Sequence, residues 1–314
     1  MNITGIPKIN FDSLFSHQVI FVSGKGGTGK TTLSIFLAQA AAQRGKKVLV
    51  CHMNRLSTDP WEDKFLGRYP KISRIFIDSA HCFREYMLMK LKSEKLYSLI
   101  FENFSAPNVI RNAAPALKEL LLLGKVYYEA TRRTMLFTQR WDNIIVDMPS
   151  TGNAIAILNI PEIVLNIFSA GIIAWETIKI KNLINDHKRS VLVLVTIPEY
   201  MAMQETRNFI SHVNDKLKIS LGPVFINRVP SYEWVPSGPD LNSPGGLISH
   251  ELRQFADFYR SRRDGAREQI NEFNQRSDKL ICEIPLVSGA SLNPEFTGAI
   301  EQRMNEIFSV KKKP

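Results

Sequence analysis

Nine consecutive residues carry the most specific chemistry in the chain: Gly24-Lys25-Gly26-Gly27-Thr28-Gly29-Lys30-Thr31-Thr32. They fit G-x-x-x-x-G-K-[ST], and they sit between an apolar run, Gln18–Ser23, and a segment with helical spacing, Lys30–Gln43. Glycines let the backbone curl until successive N–H groups point at one phosphate, which also meets the positive end of the helix dipole. Gly26, Gly27, Thr28, Gly29, Lys30, Thr31 and Thr32 are therefore candidate nucleotide contacts. Lys30 is placed to reach the β and γ phosphates, and the Thr31 hydroxyl suits Mg²⁺, a hard cation that prefers oxygen. Asp147 closes the apolar run Ile144–Asp147, where a carboxylate beside such a loop can hold Mg²⁺ through water. A plain helix N-cap is the competing reading of Asp147.

Those residues need a scaffold that brings strand ends together. Lys47–Cys51, Ile144–Asp147, Val191–Ile197, Pro223–Asn227 and Ile281–Pro285 share the short, continuously apolar character of strands covered on both faces. Helix-length segments separate them. The expected fold is α/β: a doubly wound, mainly parallel sheet in a three-layer α/β/α arrangement. Residues 79–140 break the rhythm and read as a helical insertion. Residues 229–248 read as an irregular Pro, Ser and Gly-rich loop, followed by a charged helix at about 249–277. The whole chain, 1–314, is read as one nucleotide-binding domain, with 79–140 inserted and 229–277 possible company for that helical part.

Composition excludes several classes. With 44% hydrophobic and 22% charged residues, the 314-residue chain is neither disordered nor fibrous. Cys51, Cys82 and Cys282 are too far apart for a Cys-x-x-Cys site, so neither a disulfide framework nor zinc is expected. No apolar stretch is long enough to cross a bilayer, and no signal peptide is visible, so a cytoplasmic location is expected. The net charge is +10, of which +8 falls in residues 1–100.

Lys25 is not required for cradling phosphate within one subunit. Here the sequence resembles the deviant Walker A ATPases with K-G-G-x-G-K-[ST]. D-M-P-S-T-G-N-A from Asp147 resembles the D-x-P-x-T-G-H signature of the branch containing the arsenical-pump ATPases and the tail-anchored-protein targeting ATPases. Residues 113–125, Pro198–Thr206 and Phe225–Val229 point to bacterial relatives in that branch, so the resemblance covers about residues 18–300. It implies a P-loop ATPase in which Lys25 crosses a face-to-face homodimer to the partner's nucleotide. It also implies that Asn227 reads adenine and that Pro285 belongs to the loop over the base.

Two departures bear on mechanism. Asn54 occupies the position of the aspartate that handles the attacking water, and Asn153 that of a switch histidine. An amide can orient water but cannot take its proton, so slow turnover is expected, with Asp59 a substitute if the loop bends. The helical insertion is the natural place for a client or partner protein. Tyr86, Met87, Met89 and Leu120–Leu123 are candidates to line a groove, although packing onto the sheet is the preferred reading. Lys311–Lys313 and Arg260, Arg262 and Arg263 invite a partitioning role on DNA or membrane. Interspersed acids make a solvated face the better reading and nucleic acid a disfavoured partner.

Overall fold

The computed structural model describes residues 11–53, 55, 57, 60–78, 82, 108–135, 137–230 and 250–286. In chain order the elements are α1 (Phe11–Leu14), β1 (Val19–Gly24), α2 (Lys30–Gln43), β2 (Val48–Met53), α3 (Pro60–Leu66), β3 (Ile72–Ile77) and α4 (Asn108–Thr131). Then follow β4 (Asn143–Ser150), α5 (Thr151–Ile167), α6 (Gly171–Asn185), β5 (Ser190–Thr196), α7 (Tyr200–Lys216), β6 (Ser220–Val229), α8 (His250–Arg276) and β7 (Ile281–Pro285).

The seven strands form one parallel sheet in the order β3-β2-β4-β1-β5-β6-β7. β1, β2, β4 and β5 are buried along almost their whole length, in keeping with their mainly apolar sequences. β3 is absent from the sequence-based expectation. It is an edge strand, Ile-Ser-Arg-Ile-Phe-Ile, half exposed and interrupted by Ser73 and Arg74, so it lacks the apolar run that marks the others.

Alternate residues of each strand feed two cores. Ile20, Val22, Val48, Val50, Ile145 and Val193 pack with α1, α2 and α3 on one face. Val19, Phe21, Leu49, Ile144, Val146 and Leu192 pack with α4 to α8 on the other. The sheet is thus covered twice, and helix α2 is buried from Leu33 to Ala41. Leu120, Leu122 and Leu123 join the second core, so this part of the candidate client groove is packing against the sheet. Tyr86, Met87 and Met89 lie outside the described residues. Arg260, Arg262 and Arg263 each face a carboxylate, from Asp257, Glu199 and Asp264 respectively, as on a solvated helix face.

Cys51, Cys82 and Cys282 are buried and form no disulfide. Burial pushes the Cys51 thiol well up and that of Cys282 to about 12. Both therefore stay protonated and behave as small apolar side chains.

β1 lies centrally between β4 and β5, and the chain leaves β1 toward β2 on one side while returning to β5 on the other. In such sheets the crevice at the carboxyl ends of the strands, where the order reverses, receives ligands. The nine-residue glycine and lysine segment begins there.

Candidate functional site

The loop's shape follows from its glycines. Gly29 sits at φ 98° and caps α2 without a side chain, leaving the first N–H groups of that helix open toward the crevice. A Cβ on Gly29 would lie 2.4 Å from Asn227 Nδ2, and one on Gly24 would lie 2.0 Å from the Val195 carbonyl oxygen. Both positions therefore demand glycine: one for its left-handed backbone, the other for close approach of β5. Thr28 Oγ1 donates to the Lys25 carbonyl at 2.8 Å and closes the turn. Gly26 and Gly27 are exposed at its crest, and Thr31 and Thr32 occupy the first turn of α2.

Lys30 Nζ donates to the Lys25 carbonyl at 3.1 Å. Burial lowers the Lys30 pKa, against the opposing pull of Asp147 and then Glu205. Its charge thus waits in a partly dry place for an anion.

Asp147 lies on β4 opposite Val22 of β1, which brings it beside the start of α2. Thr31 Oγ1 donates to Asp147 Oδ2 at 2.7 Å. A hydroxyl and a carboxylate already in contact form a hard-oxygen pair. Mg²⁺ needs only one or two such protein groups when phosphates and waters complete its octahedron, so these residues fit it. Bound there it would neutralise charge developing on the phosphates.

Two participants escaped the sequence reading. The first is His52, a wholly buried imidazole on β2. Its Nδ1 is 3.0 Å from Asp147 Oδ2, its ring stacks on Phe76 at 5.4 Å, and its Nε2 has no hydrogen-bond partner. Facing a carboxylate oxygen, Nδ1 is the donor, so Asp147 Oδ2 accepts from both Thr31 and His52 while Oδ1 is left to the crevice. The available signal was a lone polar residue in the apolar run Val48–Met53. His52→Ala is expected to raise the Mg²⁺ concentration for half-maximal turnover about tenfold, by leaving Asp147 with one orienting donor. His52→Asn, whose amide can stand in for Nδ1, should restore most of it. An unchanged Mg²⁺ requirement in His52→Ala would reduce the imidazole to packing.

The second is Glu205 on α7. Its Oε2 lies 3.6 Å from Lys25 Nζ, and its Oε1 accepts from Thr151 Oγ1. Glu205 therefore joins the loop lysine to the first residue of α5, directly after β4. It stands in the segment Pro198–Thr206 that carried the resemblance, but only the fold shows what it touches.

Asn227 is aimed at the loop by an irregularity in β6. Arg228 adopts φ 59°, and the register with β7 shifts between Ile226 and Val229, turning the preceding side chain. Asn227 Nδ2 donates to the Thr28 carbonyl at 2.8 Å and its Oδ1 accepts from Arg228 N. Its amide thus buttresses the phosphate loop. Pro285 ends β7 opposite Val229. Asn153 is exposed in the first turn of α5. Asn54 and Asp59 lie outside the described residues. The structure thus brings together Lys25, Lys30, Thr31, Asp147, His52, Glu205 and Asn227.

Residues 19–233 match the CbiA family, described as the CobQ/CobB/MinD/ParA nucleotide binding domain. The ATPase BagA of Mycobacterium tuberculosis is 25% identical over 224 residues, covering 67% of this chain and 65% of its own length. The ATPase ASNA1 homolog of Cryptosporidium parvum is 26% identical over 318 residues, 86% of this chain and 80% of its own. The ATPase ARSA2 of Chlamydomonas reinhardtii is 28% identical over 149 residues, 46% and 38% of the two chains. The chain therefore spans about 65% of the length of the mycobacterial relative it matches. Among the described residues, no helix is long and apolar enough to cross a membrane.

Proposed function

The chain belongs to the CobQ/CobB/MinD/ParA nucleotide binding domain family, and from that premise we propose that it is a cytoplasmic ATPase of the ASNA1-like and arsenical-pump-like kind, working as a nucleotide-dependent homodimeric switch. ATP is held by the backbone and side chains of Gly26 to Thr32, with Lys30 on the β and γ phosphates. Mg²⁺ is held by Thr31 directly and by Asp147 through water. Asn227 and Pro285 flank the base. The chain works as a single nucleotide-binding domain, with residues 79–140 as its helical part and the place where a client protein binds. Turnover is slow, because Asn54 and Asn153 supply no proton acceptor.

The observation that carries this reading is the pairing of Lys25 with Glu205, 3.6 Å apart and each about 39% exposed. A lysine on the phosphate loop that is tied within its own subunit to a surface carboxylate can be released without a large desolvation cost. Dimer closure exchanges Glu205 for the partner's phosphates, a stronger charge-assisted contact. Glu205 keeps Thr151, so the exchange is felt at the start of α5, beside Asp147. Hydrolysis and product release then return Lys25 to Glu205 and open the dimer.

Sedimentation velocity with MgATP or with a transition-state mimic should convert monomer to dimer. Lys25→Ala is expected to bind nucleotide, to remain monomeric, and to turn over about a hundredfold more slowly, the loss of one transition-state charge contact. A monomer under every nucleotide condition, with Lys25→Ala as active as its parent, would overturn the proposal. ATP left intact for hours on a protein that nevertheless dimerises would move the reading to a binding switch without hydrolysis.

A further inference from the structure

All seven strands run parallel, so every strand begins at one edge of the sheet and the phosphate loop lies at the other. The segments leading into β2 to β7, residues 44–47, 68–71, 132–142, 186–189, 216–219 and 276–280, hold fourteen Lys and Arg against three Asp and Glu. Asp12, Glu129 and Glu272 add three further carboxylates at this edge, beside Arg44, Arg132 and Arg276. A surplus of eight remains among these residues, so the edge remote from the nucleotide site is strongly positive.

A small hairpin stands out from the middle of that edge, between α4 and β4. Arg133 and Gln139 form an antiparallel bridge. Thr134 N donates to the Thr138 carbonyl at 2.8 Å, their hydroxyls meet at 2.7 Å, and Arg133 Nη1 donates to the Phe137 carbonyl at 2.9 Å. The turn is thus well tied internally, yet its tip is apolar: Met135 is 99% exposed and Phe137 80%. Phe137 also has φ 59°, a conformation in which glycine or asparagine is the favoured occupant and a bulky aromatic is strained. A strained aromatic and a methionine turned fully to water contribute nothing to the fold's own core.

Basic residues lie below this tip. Arg132, Arg133 and Arg140 belong to the hairpin itself. Its base is clamped to the segment before β2, where Lys47 N donates to Asp142 Oδ2 at 2.7 Å and Asp142 N donates to the Lys47 carbonyl at 2.8 Å. On the other side Gln18 Nε2 donates to the Ala130 carbonyl at 2.6 Å, and Gln18 Oε1 accepts from Arg189 Nη2 at 2.6 Å. The connections into β2 and β5, which carry Lys46, Lys47, Lys188 and Arg189, therefore meet the hairpin's own arginines at the base of one apolar finger.

We infer that this edge is a peripheral docking surface for an anionic lipid bilayer. Met135 and Phe137 enter the boundary between headgroups and acyl chains, and the surrounding arginines and lysines meet lipid phosphates and carboxylates. Apolar insertion and electrostatic attraction are each weak alone and sufficient in combination, and the two are here adjacent. A nucleic-acid duplex would satisfy the arginines but offers no apolar phase for an exposed methionine and phenylalanine. Docking in this orientation leaves the strand carboxyl ends, and thus the nucleotide crevice, facing away from the membrane. The inference goes beyond the proposed ATPase cycle and does not depend on it.

The test is cosedimentation of the full chain with vesicles of phosphatidylcholine alone or of phosphatidylcholine with phosphatidylserine. Binding is expected only with phosphatidylserine and should fall as salt rises. Exchanging both tip residues, Met135→Ser with Phe137→Asn, should lower vesicle affinity about tenfold or more while ATP turnover and melting temperature hold, since asparagine tolerates positive φ. Arg133→Glu with Arg140→Glu should lower it as well. Equal binding to both vesicle types, no binding to either, or a tip variant that binds like its parent would overturn the inference. So would a preference for duplex DNA that is indifferent to the tip substitutions.

Discussion

Lys30→Met is expected to lower kcat/KM for ATP about a thousandfold and to remove the rise in melting temperature that MgATP produces, while leaving the nucleotide-free fold at least as stable as its parent. The two halves of this result have one cause. Burial is the largest influence on Lys30 and lowers its pKa, and the carboxylates of Asp147 and Glu205 only partly oppose it. A lysine whose folded-state pKa is depressed binds its proton more readily in the unfolded chain. The penalty is fully present below the folded-state value and eases as pH rises through it. The phosphates of bound ATP supply the missing counter-charge, so the same desolvation that destabilises the empty loop strengthens its grip on nucleotide. Methionine keeps the aliphatic stem and drops the charge. Thermal unfolding with and without MgATP, beside steady-state kinetics, checks both halves. A variant that melts well below its parent without nucleotide would show that Lys30 supports the loop through its 3.1 Å bond to the Lys25 carbonyl rather than burdening it.

Asp147→Asn is the second large effect: turnover is expected to fall about a hundredfold to a thousandfold, with ATP binding retained and Mg²⁺ needed at higher concentration. The amide is nearly isosteric, and at 6% exposure the site has little room to rearrange. Oδ2 of the carboxylate accepts from Thr31 at 2.7 Å and from His52 at 3.0 Å, two donors converging on one oxygen. An amide oxygen can still accept both, but its nitrogen then faces the crevice, where a metal-bound water must donate rather than accept. Removing this charge also takes away the larger of the two influences holding the Lys30 pKa up, so Lys30 becomes easier to deprotonate as well. Single-turnover kinetics across a Mg²⁺ titration separates the two consequences. Parent-like turnover at low Mg²⁺ would remove Asp147 from the metal site.

How much of the site was readable in sequence depends on how local each interaction is. The loop from Gly24 to Thr32 was legible because its chemistry is made by its own backbone: glycine conformations, the open start of α2 and two lysines all lie within nine residues. Asp147 was legible because a carboxylate closing an apolar run stands out, although β4 itself continues to Ser150. The half-exposed strand β3 was not, since Ser73 and Arg74 erase the apolar continuity that revealed its neighbours. Nor were His52 and Glu205, which lie 95 residues from Asp147 and 180 residues from Lys25 in the chain. Asn227 was noticed as a residue, but its grip on Thr28 depends on a bulge and on Arg228 at positive φ, neither of which sequence spacing encodes.

By itself the sequence determined a phosphate-binding loop at the end of the first strand, the alternation of strands and helices around it, and a net charge of +10. These rest on short-range rules: turn glycines, apolar runs and residue counts. The tertiary structure decided which distant groups share an oxygen of Asp147, which carboxylate restrains Lys25, and where the charge resides. Parallel strand order brings the β2 and β4 ends side by side at the nucleotide crevice, and it gathers the basic connections at the opposite edge. Charge is additive along a chain, but the field it makes depends on distances in space, and only the sheet sets those.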